Sequence, residues 1–289
     1  PPADVMVENV STDSRTARGG ELFVAIRGER FDGHDFLPQA AEAGCVAAIV
    51  ARDGDVGSEV ARLFGGGLLA VDDTTKALGR LAAYHRGVVP ATVVAVTGSN
   101  GKTTVKRMIH QVLSTRLRGT CSPRSFNNAV GVPLTLLGAG AADDYVVCEV
   151  GSSARGEVAA LTRLVEPDVA VITSVGEAHL SGLGSLEQVV AEKASILGGL
   201  ARGGLGVVWS GSELLDRAAR AHDVRQVRFG ESESADLRLT GYEPARNGCR
   251  MEVNGRLQVD LPLPGRHNAV NALAAIAVAR RLGFEDDEA

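Results

Sequence analysis

A short glycine-rich segment, TGSNGKTTVK at residues 97–106, constrains the fold of this chain more than any other stretch. It follows the apolar run Val93–Val96 and precedes a stretch typical of a helix, so we expect it to connect a buried strand to a helix. Such a turn offers backbone N–H groups and a helix N-terminus to an anion. The common phosphate-binding loop has four residues between its first glycine and its Gly-Lys-Ser/Thr, whereas only two separate Gly98 from Gly101. The segment is therefore either a chance glycine turn or the phosphate loop of a different class of nucleotide enzyme.

The composition limits the partners that such a protein would use. The chain has 289 residues, enough for two domains, and its formal charge of -5 gives no reason to expect a nucleic-acid surface. The four cysteines are scattered without a CxxC pair, which argues against a zinc site or a disulfide framework and favours a reducing cytoplasm. No apolar run approaches the roughly 20 residues of a membrane span. We expect a cytoplasmic protein; its oligomeric state is not evident from the sequence, and a monomer is favoured.

The pattern of apolar segments predicts an α/β fold with two domains, at residues 1–88 and 89–289, joined near Pro90. The first is a small α/β domain with strands in ELFVAIRG (21–28), at 46–50 and in LLAVDD, and with a helix from residue 74 that Asp72 or Asp73 caps. The second alternates strands at 92–97, 145–150, 168–174 and 205–209 with helices at 102–116, 156–165 and 185–199. This alternation predicts a mostly parallel sheet that carries helices on both faces. Residues 238–265 favour an antiparallel extension with a hairpin turn at Asn254–Gly255, and a last helix follows.

Candidate metal ligands stand beside the glycine-rich segment. Lys102 would reach the β- and γ-phosphates of a nucleotide, and the Thr103 hydroxyl would bind the accompanying magnesium. Glu149 ends a buried strand, where a charge is costly unless it is metal-bound or paired, and His179 follows the next strand. The carboxyl ends of parallel strands border one crevice, so we expect these groups to meet there. The alternatives are an ordinary turn with a solvated lysine, a salt-bridged glutamate and a structural histidine.

Several motifs, in order along the chain, resemble the Mur ligases, the ATP-dependent amide-bond-forming enzymes of peptidoglycan synthesis. They are STDSRTARGGELFVAIRGERFDGHDFLPQAAEAGCVAAIV, TGSNGKTTVK, FNNAVGVPLTLL, PDVAVITSVGEAHLSGLGSLEQVVAEKASIL and PGRHNAVNALAA. They are most similar to the member that joins D-Ala-D-Ala to UDP-MurNAc-tripeptide. In the family reaction a substrate carboxylate attacks the γ-phosphate of ATP, and the incoming amine then displaces phosphate from the acyl phosphate. The short loop is thus this family's own form.

The resemblance implies an ATP-binding second domain with one or two Mg²⁺ ions. The phosphates would lie on Gly98, Ser99, Asn100, Gly101, Lys102, Thr103 and Thr104, and the adenine on His267, Asn268 and Asn271. Thr103 and Glu149 would bind the first Mg²⁺, and His179 would sit at the second. Lys193 falls where these ligases carry a carbamylated lysine, a ligand or near neighbour of the metal; without the resemblance it reads as a plain surface lysine. Catalytic roles would fall to Lys102, His179 and Lys193.

The resemblance also implies a substrate side, with UDP-MurNAc-peptide and D-Ala-D-Ala as small-molecule substrates. Residues expected to face them are Asn127 and Asn128 in the second domain, and Ser14, Arg15, Glu29, Arg30 and Phe31 in the first. The asparagines read otherwise as ordinary turn residues. The neighbouring Asp13, Asp32, Gly33 and His34 fit turn and capping roles equally well.

Two segments depart from the family pattern, and other functions stay open. SPRSFNN (122–128) lacks the glycine expected before this motif, and EVGSSARGE (149–157) is unusual. These ligases also have a third domain after the last helix predicted here, so we expect residues 1–289 alone not to complete the reaction. The alternatives within the enzyme class are a ligase adding the third amino acid and a folylpolyglutamate-type ligase. Outside it are a nucleotide-binding module without ligase activity and a generic phosphate-loop ATPase or kinase.

Overall fold

The computed structural model describes residues 5–54, 56–176 and 183–286, which form two compact units. The first unit runs to Val88 and includes Leu136–Gly138, and the second comprises Val89–Thr135 and the residues from Ala139 onward. None of the helices in the described part of the chain has the length and apolar character that crossing a bilayer requires.

The first unit contains a four-stranded sheet in which every neighbouring pair runs parallel. Its strands, in spatial order, are β1 (Asn9–Ser11), β2 (Glu21–Val24), β3 (Ala47–Ala51) and β4 (Leu68–Val71). Its helices are α1 (Leu37–Glu42), α2 (Ser58–Ala61) and α3 (Thr74–Val88), with a 3-10 turn at Gly33–Phe36. Buried side chains of β2, β3 and α1, among them Phe23, Val50 and Leu37, form its core.

The strand predicted at residues 21–28 is shorter than the pattern indicated. It ends at Val24 because the following segment folds back on itself, where the Gly28 N–H donates to the Phe31 carbonyl and the Gly33 N–H to the Ile26 carbonyl. The Asp73 carboxylate accepts a hydrogen bond of 2.9 Å from the Lys76 N–H in the first turn of α3.

The second unit is built on a nine-stranded sheet. Its strands along the chain are β5 (Thr92–Thr97), β6 (Gly119–Cys121), β7 (Tyr145–Glu149), β8 (Val169–Ile172), β9 (Leu205–Trp209), β10 (Arg225–Gly230), β11 (Leu237–Ala245), β12 (Gly248–Val253) and β13 (Leu257–Leu261). The spatial order is β13-β12-β11-β10-β9-β8-β5-β7-β6, and every pair from β6 to β11 is parallel. The last three strands pair antiparallel. The predicted fold class, a mostly parallel sheet with an antiparallel extension, is confirmed.

Helices connect these strands, and two of them build the main core. The helices are α4 (Lys102–Leu113), α5 (Gly131–Leu137), α6 (Glu157–Val165), α7 (Leu186–Ala194), α8 (Glu213–Arg220) and α9 (Arg266–Arg281). Apolar side chains of α4 and α9 share one buried cluster with alternate residues of β5, Val94 and Val96. The helix predicted at 185–199 is split, because α7 gives way to a 3-10 turn at Ser195–Gly199. The short elements β1, β6, β10, α2, α5 and α8 were not predicted.

The antiparallel extension turns where the sequence indicated. Asn254 and Gly255 have φ values of 54° and 68° between β12 and β13, the left-handed pair that favours Asn-Gly in a tight hairpin.

The position of β5 decides where a ligand would sit. It lies between β7 and β8, with β6 and β7 on one side of β5 and β8 to β13 on the other. This is a topological switch point, where ligands of open α/β sheets bind beyond the carboxyl ends of the strands. Val96 of β5 is in register with Glu149 of β7, and Thr97 with Ile172 of β8. The glycine-rich loop therefore emerges between the ends of both neighbours.

Candidate functional site

The glycine-rich loop runs from the end of β5 into the first turn of α4, and two of its positions need glycine. Gly98 has φ 146°, and a Cβ there would lie 2.1 Å from Thr173 Oγ1. Gly101 has φ 81° at the start of α4, and its Cβ would lie 2.9 Å from Asn271 Oδ1. Neither conformation suits an L side chain, and neither site has room for one. The loop is thus pressed against β8 on one side and α9 on the other.

Hydroxyl groups that follow β8 fasten this loop. Thr173 Oγ1 donates to the Asn100 carbonyl at 2.5 Å and lies 3.2 Å from the Thr97 carbonyl. Ser174 Oγ accepts from the Asn100 N–H at 3.0 Å and lies 3.1 Å from the Asn100 carbonyl. The Ser99 N–H donates to the Ser174 carbonyl at 2.9 Å. The sequence reasoning missed Thr173 and Ser174, although their place directly after a buried strand was the available signal.

Lys102 lies against the loop that it was predicted to serve. Its Nζ donates to the carbonyls of Gly98 at 2.7 Å and Ser99 at 3.3 Å. Burial lowers the pKa of the Lys102 ammonium, and the charge of Glu149 opposes that shift. A cation held on loop carbonyls is positioned to turn toward phosphate groups bound at the same edge.

Glu149 is almost fully buried, with 1% of its surface exposed, and every side of its carboxylate is engaged. Oε2 accepts from Thr103 Oγ1 at 2.9 Å, and Oε1 accepts from Asn127 Nδ2 at 3.1 Å. Lys106 Nζ is 3.2 Å from Oε2. The structure therefore brings Thr103, Glu149 and the loop together, as the strand pattern predicted, and it adds Lys106, which sequence reasoning missed. Lys106 lies three residues after Thr103, so the shared helix face was a signal that could have found it.

A hydroxyl and a carboxylate are hard oxygen ligands of the kind that Mg²⁺ prefers, so the donor set at Thr103 and Glu149 fits that ion. Within residues 5–54, 56–176 and 183–286, no three His, Cys, Asp or Glu side chains are close enough to hold a metal ion by themselves. His179, the predicted neighbour of a second ion, lies outside the described residues.

Lys193 is not a surface lysine. It sits on α7 with 1% of its surface exposed, and its Nζ donates to Ser152 Oγ at 2.7 Å. Burial lowers the pKa of Lys193 to about 8, assisted by the charge of Lys102 and opposed by those of Glu192 and Glu157. A fraction of the amine is therefore neutral near physiological pH.

The neighbouring Glu192 ties α7 to α6. Its carboxylate accepts from the Gly156 N–H at 2.7 Å and the Val158 N–H at 2.8 Å, at the start of α6. These charge-assisted bonds satisfy N–H groups that a helix start leaves without partners. They also fix the segment after β7 that carries Ser152. Glu192 and Ser152 were not singled out from the sequence.

Two cavities flank the glycine-rich loop. One, of about 490 Å³, brings together the loop with the predicted adenine-binding residues; its lining includes Asn100, Gly101, Thr104, Trp209, Arg266, His267, Asn268 and Asn271. The other, of about 520 Å³, includes Lys102, Asn127, Asn128, Ser152, Ser153 and Glu157. Asn128 Oδ1 also accepts from the Gly131 N–H at 2.9 Å, which makes it a cap of α5 as well as a lining residue. The arrangement offers room for a base on one side of the loop and for a second reactant on the other.

The candidates of the first unit lie on loops after β1 and β2, neighbouring parallel strands, and most are exposed. Arg15, Glu29, Arg30 and Phe31 are exposed and Ser14 is half-buried. Hydrogen bonding to Arg15 lowers the pKa of Asp13, while partial burial opposes the shift. The Asp32 carboxylate caps the 3-10 turn by accepting a hydrogen bond of 3.0 Å from the His34 N–H. Asp32 and His34 therefore serve the turn and capping roles considered from the sequence.

Comparisons with known proteins find family models and relatives that match most of the chain. A family model described as the Mur ligase middle domain matches residues 96–279, and one described as the Mur ligase family catalytic domain matches residues 6–86. The UDP-N-acetylmuramoyl-tripeptide--D-alanyl-D-alanine ligase of Bacillus subtilis is 37% identical over 285 residues, which are 98% of this chain and 61% of that protein.

Solved structures give the same result. The crystal structure of MurF from Acinetobacter baumannii has a TM-score of 0.86 and 33% identity, and the match covers 100% of this chain and 62% of that one. The MurF ligase from Thermotoga maritima in complex with ADP has a TM-score of 0.84 and 29% identity, covering 98% of this chain and 65% of that one. The chain therefore spans about three fifths of the length of the relatives that it matches.

Proposed function

The chain belongs to the Mur ligase family, as its motifs predicted, and from that premise we propose that it forms the UDP-substrate and ATP-binding parts of an ADP-forming ligase. The reaction would join D-Ala-D-Ala to UDP-MurNAc-tripeptide in peptidoglycan precursor synthesis. The observation that carries the proposal is the buried Glu149 carboxylate, which accepts from Thr103 at 2.9 Å directly beside the phosphate loop. The Bacillus subtilis relative, named for this reaction, supports the choice of substrates.

In the proposed reaction the first unit holds the uridine nucleotide and the second holds ATP. Ser14, Arg15, Glu29, Arg30 and Phe31 would contact the UDP-substrate, because they share one edge of the first sheet. The loop N–H groups and Lys102 would hold the β- and γ-phosphates, and His267, Asn268 and Asn271 would border the adenine in the 490 Å³ cavity. The protein would act in the cytoplasm as a monomer.

The chemistry brings two anions together, so charge neutralisation and positioning dominate it. The tripeptide carboxylate attacks the γ-phosphate, ADP leaves, and the amine of D-Ala-D-Ala then displaces phosphate from the acyl phosphate. Magnesium, held by Thr103 and Glu149 and at a second position near His179, would supply positive charge to the phosphates. Lys102 would neutralise the leaving phosphate oxygens, while Asn127 and Asn128 line the cavity where the second reactant would approach.

Lys193 is proposed to be carbamylated. The ammonium group would first lose one proton, and the neutral amine would then add to CO₂ with release of a second proton, so that an anion replaces a cation near the metal. Support comes from its burial and from a pKa of about 8, which leaves part of the amine neutral. Lys193→Ala should lose activity and regain part of it with added formate. Loss without rescue, or full activity without the lysine, would argue against the carbamate.

The experiment that tests the proposed function is phosphate release by the full-length protein with ATP, UDP-MurNAc-tripeptide and D-Ala-D-Ala. All three substrates should be required, and Lys102→Ala should abolish release. Release with UDP-MurNAc-dipeptide and a free amino acid alone would reassign the chain to the step that adds the third residue. Release that needs no uridine nucleotide would indicate a generic ATPase, and nucleotide binding without product would indicate a binding module.

A further inference from the structure

Lys106 is a buried cation that the proposed reaction does not use. Of the 30 basic residues other than histidine, only four are lysines: Lys76, Lys102, Lys106 and Lys193. Lys76 is exposed in the first unit, whereas the other three lie at the phosphate-loop edge. Lysine is a compact point charge, in contrast to the planar fork of arginine. Lys106 is buried, with 1% of its surface exposed, so a compact charged group fits there more easily than a guanidinium group.

The contacts of Lys106 all converge on the metal-binding carboxylate and on the loop beside it. Its Nζ lies 3.2 Å from Glu149 Oε2, donates to the Ser122 carbonyl at 2.8 Å, and also donates to the Arg124 carbonyl. Oε2 is the same oxygen that accepts from Thr103. The carboxylate that would receive a divalent cation is therefore already neutralised by a cation of the protein.

The charges at this edge disfavour a divalent ion that arrives alone. At the Glu149 carboxylate it would meet the ammonium group of Lys106, 3.2 Å from Oε2, and the nearby charge of Lys102. The described residues offer no group of three acidic, histidine or cysteine side chains to offset this repulsion. Charges in a buried site are poorly screened by water and salt, so a fixed cation next to the ligand oxygen weakens metal binding strongly. The phosphates of a bound nucleotide would bring negative charge that reverses this balance.

We propose that Lys106 is a resident counter-cation for Glu149 that makes divalent-cation binding at this carboxylate depend on the phosphates of a bound nucleotide. The inference rests on the proposed function in one respect, since it takes Glu149 as the metal-binding carboxylate. Thr103 and Asn127 hold the carboxylate in place through hydrogen bonds, so the distinctive contribution of Lys106 is its charge.

The test is a titration of the full-length protein with Mn²⁺ in the absence of nucleotide, read by electron paramagnetic resonance of the free ion. Lys106→Met removes the charge and keeps the apolar stem. Lys106→Gln also removes it but retains a donor for the Ser122 and Arg124 carbonyls, which guards against misfolding. Both variants should bind Mn²⁺ about tenfold or more tightly than the wild-type protein. Lys76→Met, which removes an exposed lysine of the other unit, should leave the affinity unchanged.

A second substitution tests whether the gain in Mn²⁺ affinity arises at Glu149. Adding Glu149→Gln to Lys106→Met should abolish the tighter binding, whereas in the wild-type background Glu149→Gln should leave the affinity for bare Mn²⁺ unchanged. Equal or weaker Mn²⁺ binding in both neutral variants would overturn the inference. So would tight binding of bare Mn²⁺ by the wild-type protein that is lost in Glu149→Gln.

These outcomes are separate from the fate of the proposed function. If the neutral variants bind Mn²⁺ more tightly but the protein makes no ligated product, the proposed role of Lys106 stands and the proposed ligase function is wrong. If the protein makes the ligated product but the neutral variants show no gain in Mn²⁺ affinity, the ligase function stands and the proposed role of Lys106 is wrong.

Discussion

The carboxyl edge of the second unit holds a buried network of charged residues, whereas the first unit carries its candidates on loops where most are exposed. Glu149, Lys106 and Lys193 are each 1% exposed, and each has a polar partner within 3.2 Å. Phe31, by contrast, is 71% exposed, and its ring makes an edge-on contact with Phe36, with 6.3 Å between the centroids. The buried network of the second unit is therefore formed before any ligand binds, whereas the exposed candidates of the first unit gain their contacts only when a ligand binds.

The difference predicts how stability and binding respond to substitution. A buried charge is tolerated only while its partners remain, so changes in the second unit should affect folding and ligand binding together. An exposed side chain contributes little to folding, so changes in the first unit should affect substrate binding alone. The predictions below test this contrast, beginning with the largest expected effect.

Glu149→Gln should lower the free energy of unfolding by about 3–5 kcal/mol, because it leaves Lys106 as an unpaired buried charge. Urea denaturation of the full-length protein measures the loss. The matched substitution Glu29→Gln, at an exposed position of the first unit, should leave the unfolding midpoint where it is. Adding Lys106→Met to Glu149→Gln should restore much of the stability. Equal unfolding midpoints for Glu149→Gln and Glu29→Gln would contradict the contrast between buried residues of the second unit and exposed residues of the first.

The pKa of Lys193 predicts a pH-dependent stability. Below pH 8 the folded and unfolded states are both protonated, and the cost of burying the charge is fully present. Between about 8 and the ordinary value of 10.5, the unfolded state binds more protons, so the free energy of unfolding rises with pH. Relative to Lys193→Met, the wild-type protein should gain about 2 kcal/mol from pH 8 to pH 10.

Urea titrations of both proteins in carbonate-free buffer measure this difference, because other groups that titrate in the same range cancel between them. Parallel stability curves for the wild-type protein and Lys193→Met would mean that the buried lysine keeps an ordinary pKa.

Thr173→Val should weaken nucleotide binding about tenfold, because it removes the hydroxyl that fastens the Asn100 carbonyl while it keeps the shape of the side chain. Thr173→Ser keeps the hydroxyl and should bind nucleotide like the wild-type protein. Isothermal titration with ADP and Mg²⁺ gives both affinities. Wild-type affinity in the valine variant would show that the loop holds its shape without this contact.

Phe31→Ala should raise the KM for the UDP-substrate by about three- to tenfold, which corresponds to roughly 1 kcal/mol of lost apolar contact. The KM for ATP and the thermal midpoint should not change, because the ring is exposed in the free protein. Steady-state kinetics with each substrate varied in turn separates the two constants. A lower midpoint would place Phe31 in the folding of the first unit rather than in binding.

The contrast between the units also explains which parts were predictable from the sequence. The phosphate-loop edge followed from strong local signals, since Glu149 ends an apolar run and the glycines precede a lysine. The contacts of Lys106 with Glu149, of Thr173 with Asn100 and of Glu192 with Gly156 join residues far apart in the chain, so these contacts depend on strand order. Strand β10 escaped prediction because so short a segment has little periodicity. Helix α8 did carry a signal, since Ser212 caps it and the buried Leu215 and Ala219 are four residues apart. The exposed residues of the first unit were found only by resemblance, because no buried charge marks them.

The measurement that tests the central claim most directly is anomalous diffraction from crystals of the full-length protein grown with ADP and Mn²⁺. The account predicts one Mn²⁺ peak within coordination distance, about 2.0–2.6 Å, of both Thr103 Oγ1 and a Glu149 carboxylate oxygen, with the ADP phosphates on the loop before Lys102. A nucleotide bound elsewhere, or a Mn²⁺ peak remote from Glu149 while that carboxylate remains bonded to Thr103 and Lys106, would contradict it.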